Sequence, residues 1–549
     1  MQRADLGLIF AATLGAVLLA TGMSRLWPLP DVPINADRDA VTTQAREFLE
    51  AKGQDLTGFR SVVSSSLQTH IVDHLDRTLG RDATQDLVRG TYPSYFEVVR
   101  FKKQGLPMGW TVRVHPVHGV RGYSRFVDED QGRGRLSQAE ARALAEKALV
   151  DEFGYDLSDW RRRSAMSADR TKRRDHRFSY NRKVPGHPEV VERLAVRVAG
   201  DLVDTITPSG VVPPEARRAY RALRAPRKGI FGVGALFAVV FGFAAFLVFL
   251  RELQGGRVRL RPAATLAFGI FGGLVLAFSM QTATAFHSWQ PTDPLWSVHL
   301  QDLVSRLRSD GWQVILLLAV IAAGDALDRR EEAAGGRARM TSLWQVLRGR
   351  WTDPAIAKAT LRGAGLAFVA AGIVAGGSAL VEIAADGRNA LQPRSLFFMI
   401  QNAASPPLAA LLMAVNAALI EEIAYRQFGV SWLRSVGFPV WLAVGTAALL
   451  FGTTHATAEF LPLAEPSWAR AAVMTVVGLA WGAALLKWDA LTLVIAHCFA
   501  DLVFFQWPRL ASGEASVIWP SVAVLMVPLL PGLVSAVAPR RRPEEPAAV

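Results

Sequence analysis

The sequence predicts an all-α polytopic membrane protein, with about ten transmembrane helices and an inserted α+β extracytoplasmic domain. Three observations predict it. The 549 residues are 51% hydrophobic with a mean hydropathy of +0.21, too apolar for an ordinary soluble chain of this length. Residues 229–250 form an uncharged run long enough to cross about 30 Å of hydrocarbon as a helix, and similar runs recur towards the C-terminus. Residues 30–226, in contrast, are of mixed polarity and contain no spanning run.

The elements follow in chain order. Residues 1–28 are read as a membrane anchor helix. Its apolar part, 7–23, follows a short charged start, and no small-residue cleavage site precedes "SRLWPLP", so an uncleaved signal anchor is expected. Residues 29–226 are expected to form a soluble α+β domain of two degenerate repeats. "GQDLTGFR" at 53–60 echoes "GYDLSDWR" at 154–161. Ser137 and Glu140 in "SQAE" have capping-box spacing for the second helix. "WTVRVHPVHGV" (110–120) and "LAVRVAGDLV" (194–203) alternate as strands around a shared "VRV". A helix followed by an antiparallel sheet, used twice, resembles PepSY-type domains. The basic stretch 161–183 is read as a solvated surface or loop, with anionic lipid headgroups as the alternative partner.

Beyond residue 227 the apolar runs predict helices near 229–250, 262–283, 311–327, 363–383, 408–433, 438–458, 470–487, 490–507 and 516–538. Residues 227–390 hold membrane helices of unassigned role, and 511–549 a last helix and a basic tail. The arginine-rich segments 251–261 and 328–362 and the tail all fall on one side of the alternating count. By the positive-inside rule that side is cytoplasmic, with both termini there and 29–226 outside. The formal charge of +13 is explained by these loops, and no nucleic-acid partner is expected. The single cysteine, Cys498, lies in an apolar run and rules out an intrachain disulfide.

Segment 391–510 places ionisable residues where water is scarce. Glu421 and Glu422 fall near the middle of one helix, where an ionised group costs roughly 2.5–3.5 kcal/mol and therefore faces a protein or aqueous interior. Glu422 and Arg426 are four apart and can pair on one face, whereas Glu421 points about 100° away and lacks a basic partner in its own segment. The next helix carries "FGTTH", with Phe451 and His455 on one face. The helix at 490–507 carries "HCFAD", where Asp501 lies one turn from His497 and can set its tautomer. A packing network is the plain alternative for each alone. Three successive helices with such stripes point to a buried polar cavity. Asp325, Glu382 and Asn416 are read as structural, Asn416 as a bond across helices, and Cys498 as an inert buried thiol.

EExxxR, FxxxH and HxxxN/D, in that order on successive membrane helices, resemble the motifs of the CAAX prenyl protease 2 family, also called CPBP or ABI. They stand here as Glu421-Glu422-Ile-Ala-Tyr-Arg426, Phe451-Gly-Thr-Thr-His455 and His497-Cys-Phe-Ala-Asp501, and the resemblance covers roughly residues 395–510. It implies a protease domain at 391–510, a membrane-embedded hydrolase cleaving a peptide or protein substrate in or beside the bilayer; the extracytoplasmic domain points to a bacterial-type cell membrane. Glu421 would be the general base and His455 would hold the water. His497 and Asp501 would form the oxyanion side, and Glu422 and Arg426 would maintain the geometry. The family often has asparagine at the last position. Asp501 can replace its hydrogen bond only if protonated, or else it acts by orienting His497.

Two glutamates and two histidines are also donors that zinc accepts, so a metalloendopeptidase-like reading stays open, although HExxH and a Cys cluster are lacking. The family implies no cofactor. Two other functions compete: a non-catalytic membrane scaffold or immunity protein on the same fold, and a transporter. Against the second, no inverted repeat or pair of broken helices is seen. By distance from the helix ends, His455 lies nearer the outer surface than Glu421, and separation beyond about 10 Å would defeat acid–base cooperation.

Overall fold

The computed structural model describes residues 3–26, 37–126, 134–390, 396–457 and 463–537. The tail arginines and the "WPLP" segment after the anchor lie outside them. The chain opens with α1 (Arg3–Leu26), and then builds a sheet domain before the helical body begins.

In that domain α2 (Arg38–Ala51), β1 (Arg60–Leu67), α3 (Thr69–Leu79), α4 (Arg81–Arg89), β2 (Tyr95–Lys102), β3 (Gly109–His115) and β4 (Gly119–Arg125) form one half. α5 (Gln138–Phe153), β5 (Arg161–Asp169), β6 (Arg174–Val184), β7 (His187–Ala199) and β8 (Leu202–Gly210) form the other. The eight strands make one antiparallel sheet in the order β1-β2-β3-β4-β8-β7-β6-β5, so the halves meet through β4 and β8. The two "DL" segments each lead into the first strand of a half, and "VRV" falls on the third strand of each. Ser137 and Glu140 form the capping box at the start of α5. Ala45 and Leu49 of α2 and Ala141 and Leu149 of α5 pack on Val112, Tyr123, Phe178 and Val196 of the sheet, giving the domain its own core.

Two strand readings need correction. Each straddles a tight turn: residues 116–118 separate β3 from β4, which opens at Gly119 with φ 69°, and Gly200, at φ 66°, lies between β7 and β8. The basic stretch 161–183 is not a loop but β5 and most of β6, with β5 exposed along nearly its whole length. Its arginines stand on an edge strand, where charge discourages pairing with other chains.

The helical body comprises α6 (Pro214–Arg224), α7 (Pro226–Gln254), α8 (Leu260–Ser279), α9 (Thr282–Ser288), α10 (Leu295–Asp310), α11 (Trp312–Ala333), α12 (Thr341–Leu347) and α13 (Pro354–Ala385). After β9 (Arg388–Asn389) come α14 (Leu396–Gln401), α15 (Pro406–Glu421), a π-helical segment (Glu422–Val430), α16 (Ser431–Ser435) and α17 (Val440–Thr454). β10 (Leu463–Glu465), α18 (Ala469–Lys487), α19 (Ala490–Leu510), α20 (Ala515–Met526) and α21 (Leu530–Val537) complete it. Among the described residues, eight helical stretches are long and apolar enough to cross a membrane, and the bent pair α10–α11 makes a ninth; α17 is a shorter apolar helix. All ten apolar segments read from the sequence are helical. The protein is an integral membrane protein.

Helix α10 lacks a counterpart in the sequence reading. Its apolar residues Trp296, Leu300, Val304 and Leu307 are exposed along one side, so it has too little buried surface to register as a core helix. The anchor α1 packs along α13 through glycines: side chains added at Gly15 or Gly372 would collide with the facing backbone. Such small residues allow close helix approach where lipid supplies no hydrophobic drive.

The sheet domain is tied to one end of the body. Lys102 donates to the carbonyls of Phe286, His287 and Trp289 at 2.9, 2.9 and 2.7 Å, capping α9 with a favourable charge. Asn402 pairs with edge strand β1 as a neighbouring strand would: Ser65 N–H donates to its Oδ1 at 2.8 Å, and its Nδ2 donates to Ser65 O at 3.2 Å. At the opposite ends of α7, α11 and α16, arginines are interleaved with acids. Arg257 and Arg330 flank Glu252, Arg339 and Arg434 flank Glu331, and Arg259 and Arg329 flank Asp325. Asp325 is thus structural, and Trp344 also donates to it at 2.8 Å. Asn416 bonds not across helices but to Leu412 O of its own helix, at 2.6 Å.

Candidate active site

The site is assembled by α15 with its π-helical continuation, α17, α18 and α19. Glu421 is the last residue of α15 and Glu422 the first of the π segment. π-Helical turns inside α-helices concentrate at functional sites. α17 and α18 approach closely because Gly452 faces Ala471 and Thr475, Gly478 faces Ala448, and Gly482 faces Val444, leaving no room for side chains there.

Glu422 is the hub. Its Oε1 accepts from Arg426 Nη1 at 3.1 Å and from His497 Nδ1 at 2.7 Å. Glu422 and Arg426 are each 1% exposed. The Arg426 guanidinium also lies 3.8 Å from the centre of the Phe451 ring and 5.3 Å from that of Trp481. This charge is therefore buried between one carboxylate and two aromatic faces, the arrangement that makes burial of a guanidinium tolerable.

Glu421 turns the other way, as its helical offset requires. Its Oε2 lies 3.5 Å from His455 Nε2 and 3.9 Å from His497 Nε2, is enclosed, and accepts no hydrogen bond from a described residue. His455 sits at the C-cap of α17, and its Nδ1 lies 2.6 Å from Phe451 O. A carbonyl only accepts, so Nδ1 carries a proton, and Nε2 is the ring nitrogen turned toward Glu421. Because α17 ends at Thr454, His455 reaches the depth of Glu421, and the separation anticipated from helix ends does not occur.

His497 is gripped from both sides. Glu422 holds Nδ1, and Asp501 Oδ2 lies 3.5 Å from Nε2, one turn along α19. The short bond that orients the ring comes from Glu422 and not from Asp501. Trp481 packs against the ring at 4.7 Å between centroids, and Phe451 meets it edge-on at 6.3 Å. All six residues singled out in the sequence thus converge. Cys498, buried beside them, forms no disulfide.

Sequence reasoning missed Trp481, which carries no motif. It also missed Tyr425, whose hydroxyl lies 3.1 Å from Thr454 Oγ1, and Arg470, 1% exposed at the start of α18. A lone arginine inside an apolar run was the one available signal. Among the described residues, no group of three or more His, Cys, Asp or Glu side chains is arranged to hold a metal ion.

Fold and site together define a polytopic membrane protein whose helices enclose a cluster of glutamates, histidines and an aspartate. Residues 403–503 match the family model described as Rce1-like, type II CAAX prenyl endopeptidase Rce1-like. This segment is similar to that family of endopeptidases, and it contains every residue of the cluster. The sheet domain and the helices before α15 lie outside the match. No curated protein and no solved structure gives a significant match to the chain.

Proposed function

We propose that the protein is a membrane-embedded endopeptidase that hydrolyses a peptide bond of a membrane-associated substrate with water activated by Glu421. The observation that carries this is the approach of Glu421 Oε2 to His455 Nε2, 3.5 Å apart inside the bundle. A carboxylate and an imidazole so placed can hold one water beside them, with the carboxylate accepting its proton. A water so held directs its own oxygen lone pair outward, as a nucleophile must be directed.

In this mechanism Glu421 removes a proton as the water attacks the scissile carbonyl, and returns it to the leaving amine. His497 Nε2–H, oriented through Nδ1 by Glu422, donates to the developing oxyanion. Asp501, beside that nitrogen, stabilises the charged ring. Glu422 and Arg426 hold the frame. No step requires a metal. The basic ends of α7, α11 and α16 would face the cytoplasm and the sheet domain the outside, in keeping with the positive-inside rule.

The test compares peptide termini in membranes from cells carrying the native chain or Glu421→Gln at equal abundance. Termini that vanish in the variant identify the protein as a protease and name its substrates. Identical termini, with a phenotype on deleting the whole chain, would assign it to the alternative, a non-catalytic scaffold.

A further inference from the structure

Glu465 follows His455 by ten residues and ends β10, which pairs with β9. On one side of it, Leu463 packs into the cluster that contains Phe451 and Trp481. On the other, α18 begins, with Arg470 buried and within electrostatic reach of His455. The Glu465 carboxylate is held by the sheet domain and by α6 together. Arg77 of α3, in the sheet domain, donates to its Oε1 at 2.6 Å, and Arg224 of α6, just before the membrane, at 3.0 Å. The same two arginines reach Asp73 of α3 at 3.3 and 2.7 Å. Two acids and two bases form a closed square, and none of the four is more than 17% exposed.

We infer that the sheet domain positions His455, through the clamp of Arg77 and Arg224 on Glu465. His455 stands at the C-cap of α17, and helix ends fray first. Its backbone is fixed by His455 N to Gly452 O and Ala456 N to Thr453 O, at 3.1 and 3.2 Å, bonds of the kind that fray most readily. Strand β10 joins this end of α17 to the sheet domain: Leu463 packs in the cluster of Phe451 and Trp481, and Glu465 is tied into the charge square. Shielded from water, the square is stiff, and removing one member leaves its partners buried without balance. Glu465, Arg77 and Arg224 are positioning residues, and the domain outside the membrane becomes part of the machinery inside it. The catalytic meaning rests on the function proposed above, but the position of His455 can be read without turnover.

The experiment is hydrogen–deuterium exchange on the full chain in lipid nanodiscs, comparing native protein with Glu465→Gln, Arg224→Gln and Arg224→Lys. Amides at 452–457 and at the start of α18 should exchange roughly tenfold faster in the two Gln variants, equivalent to about 1.4 kcal/mol. Those of α13 and of the β6–β7 pair should keep native rates, and Arg224→Lys should restore most of the protection. Arg224 bonds Glu465 and Asp73, and α6 runs on into α7, whose Gly234 faces Thr453. Native rates along α7 in Arg224→Gln therefore assign the change at 452–457 to the clamp, and faster exchange along α7 would assign it to that second route and overturn the inference. Native rates at 452–457 in Arg224→Gln would overturn the inference, as would uniform acceleration of the whole chain in that variant. A Glu421→Gln protein that leaves all termini unchanged would defeat the peptidase reading and leave these rates as they are.

Discussion

Glu422 and His497 share a 2.7 Å hydrogen bond between two membrane helices, 75 residues apart in the chain. The same carboxylate oxygen accepts from Arg426, so one buried atom joins the π segment to α19 and sets the angle of the imidazole. The site is built on this bond: with Nδ1 of His497 occupied, only Nε2 can face Glu421 and Asp501.

Removing one member of the Glu422–Arg426 pair leaves the other as an uncompensated charge in the bundle. Glu422→Ala and Arg426→Ala should each lower stability by about 3–5 kcal/mol. The combined Glu422→Gln/Arg426→Met variant should cost less than the sum of its parts, because neither charge is then stranded. Thermal unfolding in one detergent checks this. Strictly additive losses would show that the two side chains do not act as a pair.

Glu421→Gln keeps the shape of the side chain and removes its basicity. Its expected effect is a fall in kcat of about 10²–10⁴ with unfolding within about 1 kcal/mol of native. The contrast with Glu422 is the informative part, since neighbouring identical residues should fail in different ways, one in chemistry and one in stability. Rate measurements on a substrate identified from lost termini, beside melting curves for both variants, give the comparison.

Much of this was legible from residue types. A carboxylate pair split by 100° on a helix has to serve two partners, and Glu421 and Glu422 do. Apolar run length located all eight helical stretches that are long and apolar enough, among the described residues, to cross a membrane. It failed for α10, whose exposed stripe of Trp296, Leu300, Val304 and Leu307 alternates with charge and never makes a long run. The π-helical turn after Glu421 was illegible for a different reason: nothing in "EIAYRQFGV" marks it, and packing by α11, α17 and α18 surrounds it. Trp481 was invisible too, because an aromatic residue in an apolar helix signals lipid or core equally well, and only the fold brings it to His497.

That contact is testable. Trp481→Ala should remove the face against which His497 and Arg426 rest, costing about 3–5 kcal/mol and slowing the reaction about tenfold through a looser imidazole. Trp481→Phe should recover most of both. Activity unchanged in Trp481→Ala would mean that Glu422 alone fixes the ring.

The proposed chemistry uses Glu421 and two histidines without a metal. Exhaustive chelation followed by gel filtration should therefore leave the rate of the purified protein within about twofold of the untreated rate, well short of the tenfold that marks 1.36 kcal/mol in the barrier. Loss on chelation and recovery with zinc would instead make His455, His497 and Glu421 ligands and change the mechanism.

The sheet domain carries its own pH dependence, read at His115. Burial, with help from the neighbouring His118, depresses its pKa from 6.5 to about 4. Its Nδ1 accepts from the N–H groups of Val117 and His118 at 3.2 and 3.3 Å, so a proton there would break both bonds. The folded ring stays neutral until about pH 4, whereas the unfolded ring takes up a proton near 6.5. Between those values the unfolded state binds more protons, so stability rises with pH across the window. The contribution is fully present above 6.5 and is lost as the pH falls towards 4, by about 1–3 kcal/mol in all. Calorimetry of the full chain from pH 7.5 to 4 should show the sheet-domain transition falling in this range. In His115→Gln that fall should be shallower, because the substituted side chain does not titrate. An equally steep fall in the variant would assign the acid sensitivity to other groups.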